Sequence, residues 1–109
     1  TTSTLEKNLL EAAGFDVTFA VNGSDAWRLL QETGVDLVIS DIEMPVMDGI
    51  ELTRTIRNSQ KYQDLPVVLV TGLESEQDKI KGMQAGADAY LIKSAFDKRL
   101  LLDTIRQLL

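Results

Sequence analysis

The chain of 109 residues contains no cysteine and no histidine. Without cysteine there are no disulfides, no thiolate nucleophile and no Cys-ligated zinc. Without histidine, Ser-His-Asp catalysis and a phosphohistidine carrier role fall as well. Chemistry is left to carboxylates, hydroxyls, lysine, arginine or a metal held by oxygen. Long hydrophobic runs are missing too: Pro66-Val67-Val68-Leu69-Val70, even with Leu65 before it, is far short of the roughly 20 residues of a membrane span. The start, Thr1-Thr2-Ser3-Thr4, has no basic region followed by an apolar stretch and so does not read as a signal peptide, which makes the cytoplasm the default location. Runs of Lys or Arg are also absent, and the net charge is −6, from 17 acids against 11 bases. That balance argues against nucleic acid or an anionic membrane as a direct partner, since either requires a clustered basic surface.

What is present is ordinary globular material, 44% hydrophobic and 26% charged, with the length of one domain (1–109). The segments alternate in type. Leu5, Leu9, Ala12 and Ala13 fall at helical spacing before Gly14, and Val17, Phe19 and Val21 alternate as a strand over 15–21. Asn22-Gly23-Ser24-Asp25 reads as a turn offering an N-cap, and Ala26 to Glu32 continues as a helix ended near Gly34. Leu37-Val38-Ile39 is an apolar strand that runs into Ser40-Asp41. Asp48 or Gly49 opens a helix with Ile50, Leu52, Thr53 and Ile56 on its inner face. Pro66 to Val70 is another strand, followed by Thr71-Gly72. Ser75 caps a helix to about Ala85, stopped by Gly86, and Ala89 to Ile92 is a last strand before Lys93. From Asp97 a final helix carries Leu100, Leu101, Ile105 and Leu108. Apolar strands alternating with helices predict an α/β fold with a parallel sheet covered on both faces.

In such sheets ligands bind beyond the carboxyl ends of the strands. Three successive apolar strands are left by Asp41, Thr71 and Lys93: a carboxylate, a hydroxyl and an ammonium. A carboxylate can attack a phosphoryl group to form an aspartyl phosphate. The charge that develops on the transferred oxygens then needs cations and donors, which Lys93, Thr71 and the backbone N–H groups near Glu43 and Gly72 could supply. Each residue alone has a plainer reading. A strand-end Asp is commonly a cap, a strand-end Thr a β-branched filler and a lone Lys a solvated charge. Their coincidence at consecutive strand ends favours the functional reading. Trp27 and Met47 read as packing residues, Gly82-x-x-x-Gly86 as a helix end, and Lys79 and Lys81 as a solvated face.

The segment Val38-Ile39-Ser40-Asp41-Ile42-Glu43-Met44-Pro45-Val46-Met47-Asp48-Gly49 resembles the phosphoacceptor segment of response-regulator receiver domains. Pro66 to Gly72 is similar to the fourth strand of that family, and Ala85 to Lys93 to its fifth. The resemblance implies a flavodoxin-like, doubly wound sheet of order 2-1-3-4-5. It implies that Asp41 is the phosphoacceptor, Lys93 its cationic partner, and Thr71 with Tyr90 the switch pair. The partners implied are a histidine kinase or phosphotransfer domain as donor, and an output protein on the face formed by 75–109. The ending Lys93-Ser94-Ala95-Phe96-Asp97 resembles chemotaxis-type receivers fused to histidine kinases.

Receivers hold Mg²⁺ with an acidic pair at the end of their first strand, and no two acidic residues are adjacent in these 109 positions. Asp41 and the backbone carbonyl of Glu43 match two of the family's ligands. The expectation is a receiver truncated or engineered before Thr1, lacking its first strand and with weak or absent Mg²⁺ binding. The gap in the sheet would be filled by a strand from another chain, by a shift of the second strand, or in a strand-exchanged dimer. Three other readings compete. One is a phosphorylation-incompetent pseudo-receiver or interaction module. Another is a haloacid-dehalogenase-like phosphohydrolase, which requires a second Asp where Glu43 stands. A flavodoxin is the third, but the phosphate loop it requires has no counterpart here.

Overall fold

The computed structural model describes residues 10–15, 22–42, 46–71, 76–92 and 98–109. Its described strands are β1 (Val38–Asp41), β2 (Val67–Thr71) and β3 (Ala89–Ile92). They form a parallel three-stranded sheet in the order β1-β2-β3. The helices are α1 (Gly23–Thr33), α2 (Gly49–Arg57), α3 (Glu76–Ala85) and α4 (Lys98–Leu108). Leu10 to Ala12 are helical ahead of Gly14. The expected strand over 15–21 lies, apart from Phe15, outside the described residues, as do positions 4–9 of the first helix expected over 4–13.

Alternation along each strand sends side chains to two separate cores. Val67 and Leu69 face one side, where they pack with Leu30 of α1, Leu52 and Ile56 of α2, and Ala85 of α3. Val68, Val70 and Leu91 face the other side, against Leu10, Leu101 and Ile105. The central strand β2 is buried along its whole length, which is why its sequence reads as an unbroken apolar run. Helices on both faces of a parallel sheet are the doubly wound arrangement that the alternating segments predict.

Two details differ from the sequence expectation. Helix α1 begins at Gly23, three residues before Ala26, because Asn22 is the cap itself: its Oδ1 accepts a hydrogen bond from the Asp25 N–H at 2.8 Å. In α4, Leu101 and Ile105 are buried whereas Leu100 is exposed. Successive helical residues are about 100° apart, so Leu100 falls beside the stripe, while Leu102 joins the expected Leu108 in the packing. Two other expected helix ends hold, while the expected starts at Ser75 and Asp97 lie outside the described residues. Asp48 caps α2 by accepting from Glu51 N–H at 2.8 Å, and α3 stops before Gly86, whose φ is +109°.

Candidate functional site

The parallel topology puts the carboxyl ends of β1, β2 and β3 on one edge. Asp41 is the last residue of β1 and Thr71 the last of β2. Asp41 is in register with Val70, one position before Thr71, and the Ile42 N–H extends the ladder by donating to the Val70 carbonyl at 3.2 Å. The two residues are therefore one register step apart on neighbouring strands. Lys93 follows β3 directly in sequence but, with Glu43 and Gly72, lies outside the described residues. Two of the three expected members are thus brought to a common edge.

Asp41 is half-buried, and its Oδ1 is enclosed. Ser40 donates its hydroxyl to the Asp41 carbonyl at 2.9 Å, which fixes the end of the strand. Thr71 is only 2% exposed. Tyr90, two residues before the end of β3, is in register with Leu69, and Leu69 lies two residues before Thr71. Side chains two apart in a strand share a face. Thr71 and Tyr90 therefore stand on the same side of the sheet, and Tyr90 packs against the core shared with α1, α2 and α3.

The segment after β1 is held by two close backbone approaches that the sequence reading did not anticipate. Gly49 donates its N–H to the Ile42 carbonyl at 3.0 Å, and a side chain at position 49 would overlap the Asp41 carbonyl. Gly23, in the first turn of α1, donates to the Met47 carbonyl at 3.0 Å. Between these anchors Val46 takes φ +69°, the only positive φ at a non-glycine residue among the described residues. The single Gly49, directly after the Asp48 cap, hints at the first approach. Nothing local hints at the second, because Gly23 and Met47 are far apart in sequence.

Magnesium prefers six oxygen ligands. Among the described residues no three His, Cys, Asp or Glu side chains cluster as a metal site, and of the three strand-end residues only Asp41 is a carboxylate. The described residues do not by themselves make a magnesium site.

A sequence model of the response regulator receiver domain matches residues 2–106. The chain is 35% identical over 94% of its length to the gliding motility regulatory protein of Myxococcus xanthus, of which it spans 13%. It is 39% identical over 92% of its length to the DNA-binding dual master transcriptional regulator RpaA of Synechocystis, of which it spans 41%. The chain thus spans less than half the length of these curated relatives. Among solved structures it is similar to the receiver domain of the sensor histidine kinase PA1611 from Pseudomonas aeruginosa, which has a magnesium ion coordinated in its active-site cleft. That likeness has a TM-score of 0.88 at 27% identity, over 98% of this chain and 87% of that one. A carboxylate and a buried hydroxyl at adjacent strand ends, on a flavodoxin-like sheet and within a family match of nearly full length, lead to one conclusion: the chain belongs to the response regulator receiver domain family.

Proposed function

We propose that residues 1–109 act as one receiver domain whose phosphoacceptor is Asp41. The observation that carries this reading is the place of Asp41 at the carboxyl end of β1, one register step from the buried Thr71. Receivers are the phosphoacceptor modules of two-component systems, working between histidine kinases and output domains. In the step proposed, a carboxylate oxygen of Asp41 forms a bond to phosphorus while the bond from phosphorus to the donor nitrogen of a phosphohistidine breaks. The imidazole leaves with the electron pair, and an aspartyl phosphate remains. The new negative charge is met by the Thr71 hydroxyl and, as the resemblance implies, by Lys93. A receiver that never accepts phosphate is not favoured, because the Asp-x-x-Met-Pro-x-Met-Asp-Gly pattern over 41–49 is complete. The family match also weighs against the phosphohydrolase reading.

The placement of Thr71 and Tyr90 on one face supports a switch in which the hydroxyl turns toward the phosphoryl group and Tyr90 follows inward. The output surface would be β3 with α3 and α4. The chemotaxis-type subtype rests on the ending Lys93 to Asp97 alone, and the cytoplasm is the location usual for such a module.

The test is Asp41→Asn treated with acetyl phosphate, followed by intact mass. The parent chain should gain one hydroxylamine-labile phosphate and the Asn variant none, because a neutral amide is a far poorer nucleophile of almost the same shape. Equal labelling of both would overturn the assignment.

A further inference from the structure

We infer that Gly23, on the first turn of α1, is a positioning residue for the phosphoacceptor edge; the inference rests on Asp41 being the acceptor. The first N–H groups of a helix have no partner within the helix. Gly23 gives its N–H instead to the Met47 carbonyl at 3.0 Å. Only glycine fits there. A Cβ at position 23 would overlap the Met47 carbonyl oxygen and come within 2.9 Å of Met47 Cγ, so that either α1 or the segment 46–48 would have to move.

The state of that segment shows that the contact restrains it. Val46, immediately before Met47, is held at φ +69°, a conformation that β-branched side chains rarely adopt. Its own side chain is 83% exposed, so its packing does not hold the backbone there. Met47 is fixed on both counts: its carbonyl by Gly23 and its side chain, partly buried, against the core beneath α1 and α2. From Met47 the chain passes through the Asp48 cap to Gly49. The Gly49 N–H is bonded to the Ile42 carbonyl, and a Cβ at position 49 would overlap the Asp41 carbonyl. A continuous backbone path therefore runs from the first turn of α1 to the residue that carries the reactive carboxylate. A near-attack geometry is sensitive to displacements of about 1 Å, which can change rate roughly a hundredfold.

The test compares initial rates of phosphorylation by acetyl phosphate in the chain, Gly23→Ala and Asp88→Asn. Asp88 accepts from the Val67 N–H and pairs with Arg57 at the opposite edge of the sheet, at the amino end of β2. Gly23→Ala should lose roughly tenfold or more in rate. Asp88→Asn should keep the parent rate even where it lowers the melting temperature as much. Parent-like rates in Gly23→Ala, or an equal loss in both variants, would overturn the inference. Should Gly23→Ala not fold, the parent chain supplies the answer by NMR. The Gly23 amide should exchange slowly for a first-turn position, and its resonance should move when acetyl phosphate is added. A fast-exchanging or unmoved amide would overturn the inference as well. Labelling of Asp41→Asn would instead defeat the acceptor assignment, which keeps the two failures apart.

Discussion

Gly82 of α3 leaves no room for a side chain over Tyr90: a Cβ there would sit 3.4 Å from Tyr90 Cδ2 and 3.0 Å from Leu69 Cδ1. The missing side chain lets α3 approach the strand that carries the proposed switch aromatic. Gly82→Ala adds about 1 kcal/mol of helix propensity but crowds a tightly filled space, and overpacking costs roughly 1–3 kcal/mol. Leu69 is fully buried while Tyr90 is half-buried, so Tyr90 is the neighbour that can yield. The expected outcome is a net loss of about 1 kcal/mol in urea denaturation, together with shifted Tyr90 ring resonances. A variant more stable than the parent with an unmoved ring would show that the contact constrains nothing.

Thr71→Ala separates acceptance from switching. Thr71 is buried and on the Tyr90 side of the sheet, so loss of its hydroxyl should cost about 1–2 kcal/mol of stability and leave the Asp41 carboxylate in place. Acetyl phosphate should still label Asp41. The change in Tyr90 ring signals that accompanies labelling in the parent chain should disappear, because the two states then lack the differential contact that drives it. A Tyr90 response equal to that of the parent would rule out the coupled pair.

The edge of the sheet remote from Asp41 is fastened by one arginine. Arg57, near the end of α2, donates from Nε to the Gly86 carbonyl at 2.8 Å and from Nη1 to the Leu65 carbonyl at 2.6 Å. Its Nη2 pairs with Asp88 at 2.8 Å, and the same Asp88 oxygen accepts from the Val67 N–H at 2.8 Å. With only 20% of the Arg57 side chain exposed, this is more than a surface ion pair. Arg57→Ala removes three donors at once and leaves Asp88 without its charge partner. A loss of roughly 2–4 kcal/mol is expected, seen as a lower urea midpoint with an unchanged slope. A loss below about 0.5 kcal/mol, the size of an exposed pair, would mean that solvent replaces these bonds freely.

How far the sequence reveals this molecule depends on where each interaction lies along the chain. β2 and β3, and the burial of β2, are legible because an unbroken apolar run flanked by helices has few other solutions. Asp41 and Thr71 are legible as neighbours because parallel topology alone brings strand ends together. The start of α1 is misread by three residues, since Asn22-Gly23-Ser24-Asp25 has turn composition and its capping bond appears only in the folded backbone. The apolar residues of α4 spread over two flanks, and which one is covered depends on the tilt of the helix against the sheet, so the sequence alone does not separate the exposed Leu100 from the packed Leu102. The Gly23–Met47 bond and the Arg57–Asp88 node join residues distant in sequence and follow no spacing rule. For Lys93 and Glu43 the sequence reading stands as a proposal.

Val46 combines a costly backbone with an idle side chain, which makes it the simplest place to raise stability. At φ +69° a β-branched residue costs about 1–3 kcal/mol, and at 83% exposure its methyl groups recover little of that by burial. Glycine removes the strain but adds about 0.5–1 kcal/mol of chain entropy to the unfolded state. Asparagine tolerates the left-handed region without that added entropy. Val46→Gly and Val46→Asn should therefore both stabilise the chain, by about 1 kcal/mol or a rise of roughly 4 °C in melting temperature, with the Asn variant at least equal to the Gly variant. Val46→Ala, which loses the β-branch but has no polar side chain to bond the local backbone in the left-handed region, should gain less than either. The measurement is a set of urea titrations on the three variants beside the parent. If Gly and Asn both destabilise, the Val46 side chain contributes packing that its exposure conceals; if all three change stability equally, branching and backbone conformation have nothing to do with it.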